Sequence, residues 1–273
     1  MRFVGLDLAW GERARTGAAA LDGRGRLVAC ASMIPDEAII AFCAAHAPGD
    51  AVVAIDAPLV VPNARGQRVA ERLVAERFGR YGAAAYPSSR ANPLFRPPRA
   101  LRLARRLGCQ VDPAAGAGPG RRLAIEVYPH AATVALFGLD RRLPYKGRQG
   151  RPFEVRAAAF MRLLGCVEER LGGRLRPAGC PRWREITAAV AAAARPADLD
   201  RVEDEVDAVI CAYLAWLWHA DPGSCWVLGD AGTGYIVTPR LDGGQGARWA
   251  DGGKPAGPPG RDDRAIREPG PGS

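Results

Sequence analysis

Glu203-Asp204-Glu205-Val206-Asp207-Ala208-Val209-Ile210-Cys211-Ala212-Tyr213-Leu214-Ala215-Trp216-Leu217-Trp218 opens on carboxylates and continues almost wholly apolar. Asp204 and Asp207 stand three residues apart, so on a helix they share one face. From Ala208 onward the helix would be apolar on every side, the pattern of a buried helix rather than an amphipathic one. The apolar run from Ala208 to Trp218 falls well short of the ~20 residues needed to span a bilayer. The chain therefore aims two acids at the edge of a core, where ionised carboxylates are costly unless a cation pairs with them.

The same anomaly recurs in two other places. Phe3-Val4-Gly5-Leu6-Asp7-Leu8-Ala9-Trp10 is a short apolar run interrupted by one acid, and Ala51-Val52-Val53-Ala54-Ile55-Asp56-Ala57-Pro58-Leu59 is another. Such runs, bounded by Gly and Pro, read as strands buried on both faces. Asp7 and Asp56 then sit at the carboxyl ends of two strands, the edge at which open α/β sheets bind ligands. Glu126 holds a similar place in Leu123-Ala124-Ile125-Glu126-Val127-Tyr128-Pro129. Each acid also has a plainer reading. Asp56 before Ala57-Pro58 suits an Asx turn. Asp204 and Asp207 suit the first turn of a helix, where the dipole favours acids. Glu126 suits a strand end paired with Arg. Asp7, inside a first central strand, has no comparable structural role.

Around these segments the sequence predicts an α/β fold. Strands are expected at 2–9, 16–21 and 26–31, joined by tight turns at Asp22-Gly23 and Arg24-Gly25. A helix follows at 36–46 after Pro35, then the strand carrying Asp56; the order implies a mixed sheet with a parallel core, flanked by helices. Residues 61–120 read as an insertion over one face of the sheet, with a helix at 66–78, a Pro/Arg-rich loop from Tyr86 to Arg99 and a basic helix from Leu101 to Leu107. A strand at 122–128 resumes the core, helices are expected at 130–137, 153–171, 183–194 and 198–219, and short strands at 226–228 and 235–238. The expectation is one domain over 1–240 and a disordered tail over 241–273, where Gly, Pro and charge dominate.

Lys and Arg number 38 against 29 Asp and Glu, a net charge of +9, which favours a polyanionic partner such as nucleic acid. Only Lys146 and Lys254 are lysines, so the positive charge is nearly all Arg, and a compositional bias explains that equally well. The seven cysteines form no CxxC pair and the three histidines no HxxxH, which argues for free thiols and against a zinc site. No basic segment followed by a long apolar stretch leads the chain, so a cytoplasmic protein with no membrane segment is expected.

Carboxylates from two strand ends and a neighbouring helix suit a hard divalent cation, Mg²⁺ or Mn²⁺, which prefers oxygen ligands. Two such ions about 4 Å apart would stabilise the attacking and leaving oxygens in phosphodiester cleavage. The order strand-Asp, strand-Asp, helix-Asp-x-x-Asp-Ala resembles the RNase H-like superfamily, its last element being similar to the helix of RuvC-type Holliday junction resolvases. More closely, the chain resembles the family called domain of unknown function 429, described as predicted nucleases of that fold. The matching pieces are Gly5-Leu6-Asp7-Leu8-Ala9, Ala54-Ile55-Asp56-Ala57-Pro58-Leu59, Arg68, Ile125-Glu126-Val127-Tyr128-Pro129, Tyr145-Lys146, Asp204-x-x-Asp207-Ala208 and Gly232-x-Gly234-Tyr235-Ile236. The resemblance implies an RNase H-like mixed sheet and a metal-dependent nuclease, with Asp7, Asp56 and Asp207 as metal-binding acids and Asp204 as a close fourth. Glu126, Arg68 and Lys146 match the narrower family alone. They enter here as candidate site residues, Glu126 and Lys146 among the catalytic set and Arg68 toward substrate.

In the nuclease reading Asp7 bridges the metals, Asp56 and Asp207 each hold one, and Lys146 or the arginines of 90–106, notably Arg102 and Arg106, contact phosphates. A phosphotransferase with the actin and sugar-kinase core is the alternative. Leu8-Ala9-Trp10-Gly11-Glu12 lacks the Gly/Thr-rich hairpin that such a fold needs, but Gly229-Asp230-Ala231-Gly232-Thr233-Gly234 keeps a nucleotide loop open. A non-catalytic binding module on the same fold is a third reading.

Overall fold

Val4 and Leu6 alternate with Phe3, Gly5 and Asp7 along the first apolar run, and a strand sends alternate residues to opposite faces. The computed structural model describes residues 1–171 and 179–241. In it that run is β1 (Arg2–Asp7), antiparallel to β2 (Thr16–Leu21), which is antiparallel to β3 (Leu27–Met33). Helix α1 (Asp36–His46) carries the chain back, so that β4 (Ala51–Ile55) enters parallel beside β1. Helices α2 (Val69–Phe78) and α3 (Arg99–Arg106) precede β5 (Arg122–Glu126), parallel beside β4. The sheet order is β3-β2-β1-β4-β5, a five-stranded mixed sheet with a parallel core.

Helices α4 (Pro129–Phe137), α5 (Phe153–Cys166), α6 (Pro181–Ala191), α7 (Pro196–Asp200) and α8 (Glu203–Ala220) follow. The antiparallel pair β6 (Cys225–Asp230) and β7 (Gly234–Pro239) closes the described chain. Where one helix over 198–219 is expected, two occur. Pro196 starts the short α7 at the first helical position, where a missing N–H costs nothing. From residue 242 on, the expected disordered tail lies outside the described residues. Among the described residues no helix is long and apolar enough to cross a membrane.

Both faces of the sheet are covered. Val4, Leu6, Val53 and Ile55 pack with Ile39 and Phe42 of α1 and with Leu103 and Ala104 of α3. Phe3, Val52, Ala54, Leu123 and Ile125 pack against Val209, Ile210, Ala212 and Leu214 of α8, with α2, α4, α5, α6 and β7 around them. The segment 61–120 thus divides between the two faces instead of lying over one. Ala70, Val74 and Phe78 form a stripe at i, i+4, i+8 that joins the α8 side, while Ala100, Leu103, Ala104 and Leu107 turn α3 toward the other.

Helix α8 lies unusually close to the sheet, and two glycines permit it. A Cβ on Gly5 would fall 2.0 Å from the Ala208 carbonyl oxygen, and one on Gly17 would fall 1.9 Å from that of Asp204. Gly17 pairs directly with Asp7 across β1 and β2. The missing side chains therefore let the first turns of α8 settle onto the strand end that carries Asp7.

Candidate active site

Leu6 and Ile55 are partners in the parallel ladder, and the Asp56 amide donates to the Leu6 carbonyl at 2.8 Å. Asp7 and Asp56 are each one residue further on, so they leave neighbouring strand ends toward the face opposite Leu6 and Ile55. That is the α8 face. Asp207, wholly buried in the second turn of α8, meets them there. The Tyr145 hydroxyl donates to Asp207 Oδ1 at 2.6 Å and fixes that carboxylate.

Lys146 stands between the acids. Its ammonium is 2.6 Å from Asp207 Oδ2 and 3.6 Å from Asp7 Oδ2. The short contact is an ion pair not aligned as a hydrogen bond, so Oδ2 of Asp207 has no hydrogen-bond donor. Arg156, buried, holds the loop that presents Lys146: it donates to the Tyr145 carbonyl at 2.7 Å and pairs with Asp200 and Glu203 at 2.6 and 2.7 Å.

One ammonium does not balance this many carboxylates. Burial pushes the Asp7 carboxyl well above the usual carboxylate range, with Asp207, Asp56 and Asp204 adding to it against Lys146. Burial likewise pushes Asp56 up to about 7, and Asp204 up to about 6, each with Asp207 adding against Lys146. Burial pulls the Lys146 ammonium down, but Asp207, Asp7 and Asp56 outweigh it and hold its pKa well above the ordinary lysine value. Among the described residues, no three His, Cys, Asp or Glu side chains are grouped as they stand around a point that could hold a metal ion. The Lys146 ammonium is the cation between Asp7 and Asp207.

Glu126 and Arg68 belong to a different cluster. The register sets Glu126 beside Ile55 and not beside Asp56; its charge still reaches Asp56, but its carboxylate is committed to Arg68. Its carboxylate accepts from Arg68 at 2.9 and 2.6 Å and from the Leu59 amide at 2.8 Å. Arg68 also donates to Glu71 at 2.8 Å and to the Val60 carbonyl at 3.0 Å, while Glu71 accepts from the Ser88 amide at 3.0 Å. Arg68 is 3% exposed, so its guanidinium is committed inside the protein. This network ties the chain after Asp56 to β5 and to the loop that follows Tyr86.

Arg102 and Arg106, on the outer side of α3, pair with Glu12 at 2.5 Å and Glu37 at 3.0 Å. These counter-anions offset the repulsion expected of a basic helix. Neither arginine lines the cleft above the acids. Arg99, from the same helix, is buried and donates to Asp36 and to the carbonyls of Ala9 and Gly11, which pins the loop after Asp7.

The cleft has a volume of about 480 Å³ and is lined by Asp7, Asp56 and Lys146 together with residues that sequence reasoning did not nominate. These include Arg142, Arg148 and Arg151 from one loop, and Trp10, Tyr86, Tyr128 and His130. His130 is buried with its Nδ1 unpartnered, and burial lowers its pKa to about 3, so the imidazole is neutral. The Gly229–Gly234 segment is the β6–β7 turn. Its Gly232 and Thr233 amides both donate to Asp230 at 2.8 Å, which commits the amides a phosphate would need.

The family described as "Protein of unknown function (DUF429)" matches residues 5–232, most of the chain. Comparison with curated proteins and with solved structures returned no match.

Proposed function

The chain belongs to that family of unknown function, and we propose that it hydrolyses phosphodiester bonds with the help of a divalent cation on an RNase H-like core. The observation that carries this reading is the convergence of Asp7, Asp56 and Asp207, from two adjacent strand ends and a buried helix, beneath one cleft. The strand order β3-β2-β1-β4-β5, with β2 reversed, supports the fold assignment. The occupied amides of the β6–β7 turn weigh against a phosphotransferase loop.

The donor chemistry fits a hard cation. The groups are carboxyls crowded around a single ammonium, and burial with mutual repulsion raises the pKa of Asp7 and Asp56, so an added cation would favour their charged forms. Asp7, Asp56 and Asp207 are the residues that would hold Mg²⁺ or Mn²⁺, with the Lys146 ammonium yielding its place between Asp7 and Asp207. When bound, the cation supplies charge neutralisation at the phosphoryl group and acidifies the attacking water.

The remaining work falls to side chains. Lys146 stays charged throughout the neutral range, so it acts as a counter-charge to the non-bridging phosphoryl oxygens and not as a base. Tyr145 keeps Asp207 from turning away, and Arg156 keeps the Tyr145–Lys146 peptide in place. Water oxygen attacks phosphorus and gives up a proton to solvent, the bond to the leaving oxygen breaks, and that oxygen takes up a proton from solvent. Labelled single-stranded and duplex oligonucleotides incubated with Mg²⁺, Mn²⁺ or a chelator test the proposal. Cleavage should require the metal and vanish in Asp7→Asn with the melting temperature equal or higher. Cleavage that persists in Asp7→Asn, or none with any oligonucleotide, overturns it.

A further inference from the structure

The cleft is lined by more than the acids. The loop from Arg142 to Arg151 contributes Arg142, Arg148 and Arg151. Asp207 and Asp7 face Lys146 of that loop, and Asp200 and Glu203 are taken by Arg156. Among the described residues Arg142 and Arg148 have no carboxylate partner. Arg151 donates to the Lys146 carbonyl, and its pKa is lowered by burial and by Arg142, Arg148 and Arg156, which together outweigh Glu203. Such a cluster wants an anion with several oxygens.

The lining is also aromatic. Trp10 is 39% exposed and Tyr86 65% exposed, although large apolar surfaces usually find cover. Trp10 is braced edge-on by Phe95, ring centres 5.0 Å apart, and its loop is pinned by Arg99. Tyr86 stands two residues before Ser88, whose amide donates to Glu71 at 3.0 Å and anchors the loop. Both rings are thus held at the mouth of the cleft. A cavity of about 480 Å³ suits a ligand of drug size, one or two nucleotides and not the face of a duplex.

We propose that the cleft is a single-strand nucleic-acid site, in which Arg142, Arg148 and Arg151 seat backbone phosphates beside the scissile one and Trp10 and Tyr86 stack unpaired bases. A basic groove with exposed rings is how proteins hold unpaired strands with little sequence preference. The assignment rests on the reading of the same cleft as the hydrolytic site.

The test is fluorescence anisotropy with the full chain in chelator, where no turnover occurs, using labelled oligo-dT and oligo-U, a duplex of equal length, and pyrophosphate and a mononucleotide as competitors. Single strands should bind at least about tenfold more tightly than duplex. The pair Arg142→Ala with Arg148→Ala should flatten the slope of log affinity against log salt by about 1.4, for two lost single-strand contacts. Trp10→Ala should weaken binding about tenfold and leave the slope unchanged. Arg148→Glu alone, an exposed position, repeats the arginine test if the pair fails to fold. Equal affinity for duplex, or an unchanged slope, overturns the site. So does a strand that binds no more tightly than pyrophosphate or the mononucleotide, which assigns the arginines to a small phosphate compound. Arginine-dependent single-strand binding without metal-dependent cleavage would remove the hydrolytic reading and leave this one standing. Cleavage with arginine-independent binding would do the reverse.

Discussion

Replacing Lys146 with methionine keeps most of the side chain's bulk and removes the ammonium that lies 2.6 Å from Asp207 and 3.6 Å from Asp7. Removing one partner of a buried pair leaves an uncompensated charge and costs about 3–5 kcal/mol. Asp207 is fully buried, but the Lys146 side chain is 29% exposed and water reaches it, so the low end, about 3 kcal/mol, is expected. For a chain of this size that is a fall of roughly 6–12 °C in melting temperature. The loss should depend on pH, and its sign follows from the carboxylates. Asp56 and Asp204 have folded pKa values raised to about 7 and about 6, so the fold is favoured while they are protonated and loses stability as pH rises from near 4 through those values. Lys146 lowers both, and its removal drives them higher. The wild-type ammonium, with its raised pKa, stays charged throughout that window. The variant should therefore resemble wild type most closely near pH 5 and fall furthest behind near pH 8. Urea unfolding followed by tryptophan fluorescence, in chelator at both pH values, measures this. Equal losses at the two pH values, or a loss below about 1 kcal/mol near pH 8, would show that Lys146 does not neutralise the acid cluster.

Arg68→Ala should destabilise the protein by about 3–5 kcal/mol, because Glu126 and Glu71 would be left buried without their guanidinium. Urea unfolding checks it, and a normal midpoint with weakened substrate binding would instead make Arg68 a substrate contact. Gly17→Ala forces the start of α8 outward, since the new Cβ meets the Asp204 carbonyl at 1.9 Å. The expected cost is about 1–3 kcal/mol or more, with any metal-dependent activity lost alongside, and unchanged stability would mean that α8 does not pack as described.

The central sheet was legible because each of its strands is a short apolar run and the turns carry their own residues. Helix α8 was legible because its apolar length has no polar face to expose. The three convergent acids could be found for the same reason: Asp7, Asp56 and Asp207 interrupt or head segments that are otherwise wholly core. The commitment of Glu126 to Arg68 could not, because the two stand 58 positions apart and no local pattern reveals the pair. Arg142, Arg148 and Arg151 were hidden among many arginines, and only the fold separates them from Arg102 and Arg106, whose charge is met by Glu12 and Glu37. Gly5 and Gly17 did leave a signal, since glycine inside a strand marks a close approach of another backbone.

Diffraction at the manganese edge from crystals soaked in Mn²⁺ addresses the central claim most directly. The account predicts an anomalous peak within ~2.0–2.6 Å of carboxylate oxygens from Asp7, Asp56 and Asp207, with the Lys146 ammonium displaced from between Asp7 and Asp207. A saturating soak that leaves Lys146 against Asp207 and places manganese elsewhere, or nowhere, would contradict it.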